Sequence, residues 1–341
     1  MKQMKQMQCL LCGKEANLKT SAVKGYQEPD LYGIYHCPHC NTSFSMPRVD
    51  TTAIYHLIYE IKGYDLYWKY AKEIKSQNRP IDYLANAGQS YTCLISSLTD
   101  VIKPPKDADI MEVGCGLGYT TYALRKAGYA NAIGIDIAPD AIENAIKEFG
   151  DFYVCADVYT WEDKNAKLYD VIFMTDVIEH IEHPEESIKK LISLLKVGGT
   201  LIMTTPNKSF FPDSVIWNTD SPPVHCWWFS EDSFRYLAQK LNVKVSFFDF
   251  TKYFKKHPQE SVNIKNLIFP SDNFVFDKEK RVIKIPKSTY KITKHSIFPQ
   301  WVKKWSFYKR MAPLIYPMLS KNFITSNKRT QTLCVLLKKE V

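Results

Sequence analysis

Two Cys-x2-Cys pairs stand near the start of the chain, Cys9 with Cys12 and Cys37 with Cys40, 24 residues apart. Each occupies a turn of small residues or proline, Cys-Leu-Leu-Cys-Gly and Cys-Pro-His-Cys-Asn, where backbone amides can point at thiolate sulfurs. Four sulfurs so placed form the tetrahedral set of structural zinc, and a closed shell leaves the metal no chemistry to do. His36 and His39 flank the second pair and are not needed to complete it. A different kind of chemistry is open to Asp176-Val-Ile-Glu179-His180 and to His225 in Pro222-Pro-Val-His225-Cys-Trp-Trp-Phe-Ser. A neutral imidazole removes protons near pH 7, so His225 is the first candidate general base. Asp176, Glu179, His180 and His225 together are also a donor set for a second divalent metal that would acidify a hydroxyl. A loop-capping carboxylate and hydrogen-bonded structural histidines would read the same way.

A third group is Glu112-Val-Gly114-Cys-Gly116-Leu-Gly118-Tyr119. Alternate glycines let a backbone turn tightly and approach a ligand. The dinucleotide fingerprint would need Gly or Ala where Tyr119 stands, so a different nucleotide-type ligand is indicated.

These residues must be positioned by elements that the pattern supplies. After Pro105 short β-rich runs alternate with helical ones, as in βαβ units on a mainly parallel sheet. Expected strands are 109–113, 132–136, 152–156, 170–174, 200–205 and 243–250, with a last one at 332–337. Expected helices are 119–127, 139–149, 185–195 and 231–241, the second framed by Pro139 and Gly150 and the last capped by Ser230. Before them, 49–106 reads as a tyrosine-rich helical cap ended by Pro104-Pro105. The expected division is a zinc ribbon at 1–48, the cap at 49–106, a core at 107–250, a basic aromatic insertion at 251–330, and a final core strand at 331–341.

Read together, the motifs resemble those of class I S-adenosylmethionine-dependent methyltransferases. The glycine loop with Glu112 is similar to that family's first motif. Asp136 closes the second strand, Asp157 and Val158 follow the third, and Leu195-Lys-Val-Gly198-Gly199 resembles the turn opening the fifth. The resemblance covers about Asp107 to Phe250 and the last strand. It implies an α/β, Rossmann-like seven-stranded sheet and S-adenosyl-L-methionine as cofactor. Glu112, Gly114, Gly116, Gly118, Asp136, Ile137, Asp157, Val158 and Thr175 would bind it, Asp136 at the ribose and Asp157 at the adenine. The set Asp176, Glu179, His180 and His225 resembles the metal set of small-RNA 2′-O-methyltransferases. The cysteine module with the tyrosine-rich helix resembles the front end of bacterial sugar and glycan methyltransferases, which implies a small-molecule or glycan acceptor methylated on a hydroxyl. An RNA methyltransferase and a non-catalytic cofactor-binding or zinc-dependent interaction protein are the competing readings.

With 341 residues, 45% apolar and 24% charged, the chain has an ordinary globular composition, not a disordered or disulfide-stapled one. No apolar run reaches the ~18–20 residues that span a bilayer, and Met1 to Gln8 lacks the apolar stretch of a signal peptide. A cytoplasmic protein is expected. The net charge of +9 is lopsided: from Thr251 onward 20 basic and 5 acidic residues give +15, which leaves −6 for the rest. In that tail Trp301, Val302, Trp305 and Tyr308 would share one helix face opposite Lys303, Lys304 and Arg310. Three roles compete for it: a subdomain packing its aromatics on the core, a surface docking at the inner membrane face or on a lipid-linked glycan, and phosphate contacts to nucleic acid, which rank last.

Overall fold

A computed structural model describes residues 5–25, 31–51, 65–161, 167–210, 222–256 and 330–340, with two-residue strand pieces at 262–263, 275–276, 282–283 and 323–324. The expected helix around Trp301 lies outside the described residues.

Four strands build the N-terminal module: β1 (Gln6–Gln8), β2 (Glu15–Lys24), β3 (Leu31–Cys37) and β4 (Thr42–Met46). They pair antiparallel in chain order. Gly13 and Asn41, each just after a Cys-x2-Cys pair, have φ of +71° and +52°, the left-handed turn that glycine and asparagine accept most cheaply.

Helices α1 (Asp65–Glu73), α2 (Pro80–Ala85) and α3 (Gln89–Ser96) form the cap. A π-helical turn at Ser97–Ile102 extends the last, and Lys103 at φ +52° closes it before the two prolines act. The tyrosines are not spread evenly over the surface. Tyr70 packs edge-on against Tyr83, Tyr91 and Tyr119, and Tyr91 and Tyr119 share a short hydrogen bond. The cap thus sits on α4 (Tyr119–Lys126), the helix that leaves the glycine loop.

The core continues with β5 (Ile110–Val113), β6 (Ala132–Asp136), α5 (Pro139–Phe149), β7 (Tyr153–Cys155), β8 (Tyr169–Thr175), α6 (Pro184–Ser193) and β9 (Leu195–Pro206). A two-residue strand, β10 (Trp227–Trp228), precedes α7 (Glu231–Lys240), β11 (Lys244–Phe247), α8 (Thr251–Lys256) and β12 (Thr332–Lys338). Seven of these strands make one sheet in the order β11-β12-β9-β8-β5-β6-β7. All neighbours from β9 to β7 are parallel, and β12 runs antiparallel between β9 and β11. The central strand β5, Ile-Met-Glu-Val, is buried on both faces, as a parallel strand covered by helices must be.

One expected turn is part of a strand. Tyr169 pairs with Leu195 and Val171 with Thr200, so Lys196 to Gly199 form a bulge inside β9, where Gly198 takes φ +83°. Ser230 caps α7 as expected, with a reciprocal bond to Ser233.

The N-terminal sheet and the core are not separate bodies of side chains. β10 pairs antiparallel with β4, Trp227 opposite Phe44 and Trp228 opposite Ser43, which makes it the fifth strand of the ribbon. Cys9, Leu11, Tyr35, Cys37, Cys40 and Phe44 share one hydrophobic cluster with Met174, Leu201, Trp227 and Phe234. Thr42 Oγ1 donates to Ser233 Oγ at 2.7 Å and Asn41 Nδ2 to Asp232 at 3.2 Å, tying the second cysteine turn to the start of α7. Among the described residues no helix is long and apolar enough to cross a membrane.

Candidate active site and metal centres

The sheet places the glycine loop at the carboxyl end of β5, next to the ends of β6 and β8, where open parallel sheets bind their ligands. Gly114, Gly116 and Gly118 have φ of +73°, +50° and +79°, so the loop needs glycine conformationally. A methyl group at position 114 would stand 2.5 Å from Val177 Cγ2, and one at 118 would stand 2.7 Å from Ala145 Cβ and from the Tyr153 ring.

Asp136, at the end of β6, holds this loop. Its Oδ2 accepts the Gly116 amide at 2.7 Å and its Oδ1 the Ala138 amide at 2.9 Å. Burial pushes its carboxyl up, and the amides of Ala138, Gly116 and Ile137 pull it down. Each oxygen still has a lone pair for a hydroxyl. Ile137 beside it is 68% exposed, an apolar surface at the loop. Beyond β7, Asp157 accepts the Tyr159 amide at 2.9 Å, and Val158 is buried. Thr175 ends β8, its Oγ1 buried without a hydrogen-bond partner among the described residues.

Glu112 is bonded to the helix that follows the loop. Its Oε2 accepts the Thr121 amide at 2.9 Å and the Thr121 hydroxyl in a short bond, so it ties β5 to α4. Burial pushes this carboxyl up from 4.5 to about 8, against the lowering effect of the Thr121 hydroxyl and amide. Because the folded chain holds this proton more tightly than the unfolded one, the contribution to stability is full below about 4.5 and drains away as pH rises through 8. Glu112→Gln should therefore melt with a flatter pH dependence between 5 and 8 and gain most at pH 8. Equal slopes for variant and parent in calorimetric scans would contradict this.

On the other side of the β8 end, Glu179, His180 and His225 each offer one ligand atom, all within 4.8 Å of one another. Glu179 is fully buried and His225 is 6% exposed. His225 Nε2 lies 4.0 Å from Glu179 Oε1, and the two imidazoles meet edge to face at 4.5 Å. His180 Nδ1 is 2.9 Å from the Val224 carbonyl. Nδ1 therefore donates, and in the neutral ring Nε2 would carry the lone pair, the tautomer a base or metal ligand needs. Asp176, expected in this group, is held elsewhere: its Oδ1 accepts from Thr204 Oγ1 at 3.0 Å and its amide donates to Thr204 O at 3.1 Å. It joins β8 to β9 and is not one of the three grouped ligands.

Cys9, Cys12, Cys37 and Cys40 form the other cluster. Cys9 and Cys40 sulfurs are 3.7 Å apart and Cys12 and Cys37 sulfurs 3.5 Å. Zn–S bonds of about 2.3 Å in a tetrahedron put sulfurs about 3.8 Å apart, so the four side chains are set for a metal of this size. Burial pushes the Cys12 thiol up to about 11, and a hydrogen bond with Cys9, then burial, push Cys40 higher still. A bound dication supplies the charge that lets such sulfurs ionise. His36 bonds Ser43 instead, and His39 packs on Tyr236.

Two features of this region were not apparent from the sequence. Arg48 places its guanidinium 4.6 Å above the Trp227 ring, and the Cys226 and Trp227 amides both donate to the Glu179 carbonyl, at 3.0 and 3.2 Å. The Trp-Trp-Phe run, rich in β-forming aromatics, was the available signal for a strand there.

The strand order, with one antiparallel strand inserted beside β9, and the glycine loop after β5 define a Rossmann-like class I methyltransferase fold. Residues 88–246, somewhat under half the chain, match the family described as "Methyltransferase domain". The ubiquinone biosynthesis O-methyltransferase of Coxiella burnetii is 32% identical over 110 residues, which are 31% of this chain and 46% of that protein. The malonyl-[acyl-carrier protein] O-methyltransferase of Anoxybacillus flavithermus is 27% identical over 163 residues, 47% and 58% of the two chains. The chain thus spans about half the length of the curated relatives it matches. A solved SAM dependent methyltransferase from Archaeoglobus fulgidus aligns at a TM-score of 0.40 and 17% identity, over 74% of this chain and 95% of that one.

Proposed function

We propose that the chain is an S-adenosylmethionine-dependent methyltransferase that methylates a hydroxyl, with a sugar or glycan precursor as the acceptor class. The observation that carries the reading is the juxtaposition of two half-sites at one end of the sheet. One is a glycine loop held by Asp136, and the other is a buried Glu179, His180 and His225 cluster. The first suits the nucleoside part of the cofactor: the Asp136 carboxylate would hold its ribose hydroxyls, Asp157 and Val158 the adenine, and Thr175 and the loop amides the rest. Bound there, S-adenosylmethionine supplies an already activated methyl group.

The remaining task for the protein is to make a hydroxyl nucleophilic. His225 Nε2 would take the hydroxyl proton as the oxygen bonds to the activated methyl group and the S–CH3 bond breaks to release a neutral thioether, and the nearby Glu179 carboxylate would stabilise the imidazolium that forms. The His180 Nδ1 bond to Val224 keeps the neighbouring ring fixed. The same three side chains would hold a divalent ion, which would acidify the hydroxyl in place of the base. The O-methyltransferase names among the relatives support transfer to oxygen. The sugar or glycan class rests on the cysteine module that precedes the fold.

Transfer of a labelled methyl group to a panel of nucleotide sugars, glycan precursors, quinol precursors and RNA tests this. The expected product is a sugar O-methyl ether. A methyl group on nitrogen or carbon, or on RNA alone, would overturn the acceptor assignment.

A further inference from the structure

The segment that carries His225 is strung between two parts of the molecule. On one side it belongs to the core: Cys226 N and Trp227 N donate to the Glu179 carbonyl, Trp227 Nε1 donates to Ile181 O at 2.8 Å, and Val224 O accepts from His180. On the other it belongs to the ribbon. β10 is the edge partner of β4, and the Ser45 amide donates to Cys226 O at 3.1 Å. Phe44 packs on Trp227 at 5.7 Å, and Arg48 covers the ring. His225 stands two residues before β10, so the pairing that fixes Trp227 and Trp228 also fixes where the chain carrying His225 enters the ribbon.

The ribbon end of the ladder starts at the cysteines. Cys40 is two residues before the start of β4, its thiol lies 3.4 Å from Thr42 Oγ1, and Cys37 ends β3, the other neighbour of β4. Three of the four sulfur ligands are buried in the cluster that also holds Trp227. Among the described residues no hydrogen bond joins the ribbon to Gly114–Gly118 or to Asp136.

We propose that the zinc ribbon is the positioning half of the acceptor site. Metal binding by Cys9, Cys12, Cys37 and Cys40 fixes the edge of β4, and β4 through β10 holds His225 against Glu179 and His180. Ser45, Phe44, Arg48 and Trp227 act as positioning residues and touch no reacting atom. The acceptor half is zinc-dependent while the cofactor half is not. This rests on the reading of the His225 cluster as the acceptor side.

The test is nitrogen NMR of the histidine rings in the full chain, with His180 and His225 assigned by His180→Gln and His225→Gln. Three samples are compared with the zinc-loaded parent: chelated protein, Ser45→Pro, which removes the amide bonded to Cys226, and Ser45→Ala, which keeps it. Chelation and Ser45→Pro should each move the His180 and His225 ring signals. Ser45→Pro should retain about one zinc per chain, keep S-adenosylmethionine affinity within about twofold, and lower kcat at least tenfold. Ser45→Ala should match the parent. Unmoved ring signals in Ser45→Pro would overturn the proposal, and this variant decides the matter if chelated protein unfolds. If the parent fails to bind S-adenosylmethionine, the methyltransferase reading falls, while the ring signals still report the coupling.

Discussion

His225→Ala should lower kcat by about 10²–10⁴-fold, the range a positioned general base contributes, while S-adenosylmethionine binding stays within about twofold. The ring is buried, its Nε2 lies 4.0 Å from a fully buried carboxylate, and it is packed edge to face on His180. In the proposed reading it belongs to the acceptor half, and the cofactor half is built from the ends of β5, β6 and β7 with Thr175 at the end of β8, so the two properties should separate. A companion variant discriminates the two ways of activating a hydroxyl. If His225 acts as a base, Glu179→Gln removes only the charge that stabilises the imidazolium and costs less than His225→Ala. If the cluster holds a divalent ion, both variants lose activity alike and chelators too weak to strip a metal from the four cysteines abolish it. Loss of S-adenosylmethionine affinity in His225→Ala would place the residue in the wrong half of the site.

Gly118→Val should both destabilise the protein and abolish cofactor binding. The residue sits at φ +79°, and an added Cβ meets Ala145 Cβ and the Tyr153 ring at 2.7 Å. Tyr153 cannot swing away without cost, because its hydroxyl donates to the Gly118 carbonyl at 2.5 Å inside a buried cluster with Ile142 and Ala145. A left-handed conformation costs a non-glycine residue about 1–3 kcal/mol, and overpacking typically adds about 1–3 kcal/mol, so about 2–6 kcal/mol is expected. That lowers the melting temperature by many degrees in a domain this size. Gly198→Ala is the matched control. Its φ is also positive, but no atom lies within 4 Å of the added methyl, so only the backbone cost should appear. A Gly118→Val protein that melts and binds like the parent would contradict the packing seen at this loop.

Much of the core was legible because its signals are local. Strand 132–136 and helix 139–149 were expected at the bounds observed, since a proline and a glycine frame the helix and a buried β-rich run ends in an acid. The alternate glycines and paired cysteines were legible for the same reason: tight turns and sulfur sites write themselves into a few adjacent residues. Where a feature depends on a distant partner, the sequence carried less. β10 is only two residues long, and its pairing with β4 joins residues more than 180 apart. Asp176 looked like a ligand by its spacing to Glu179 and His180, but the Thr204 hydroxyl on the next strand captures it. The glycine pair at 198–199 read as a turn, yet the ladder on both sides of it makes a bulge. Spacing along a chain shows which residues are near, and side-chain direction is decided by the neighbouring strand.

S-adenosylmethionine should bind at the loop from Gly114 to Gly118 that Asp136 holds. The decisive measurement is a calorimetric titration of the parent and Asp136→Asn. Asparagine keeps a carbonyl oxygen for one backbone amide but loses the second acceptor oxygen that a ribose hydroxyl would share. One site per chain is expected in the parent and at least a tenfold weaker one in the variant. No saturable heat from the parent, or equal affinity in the two proteins, would contradict it.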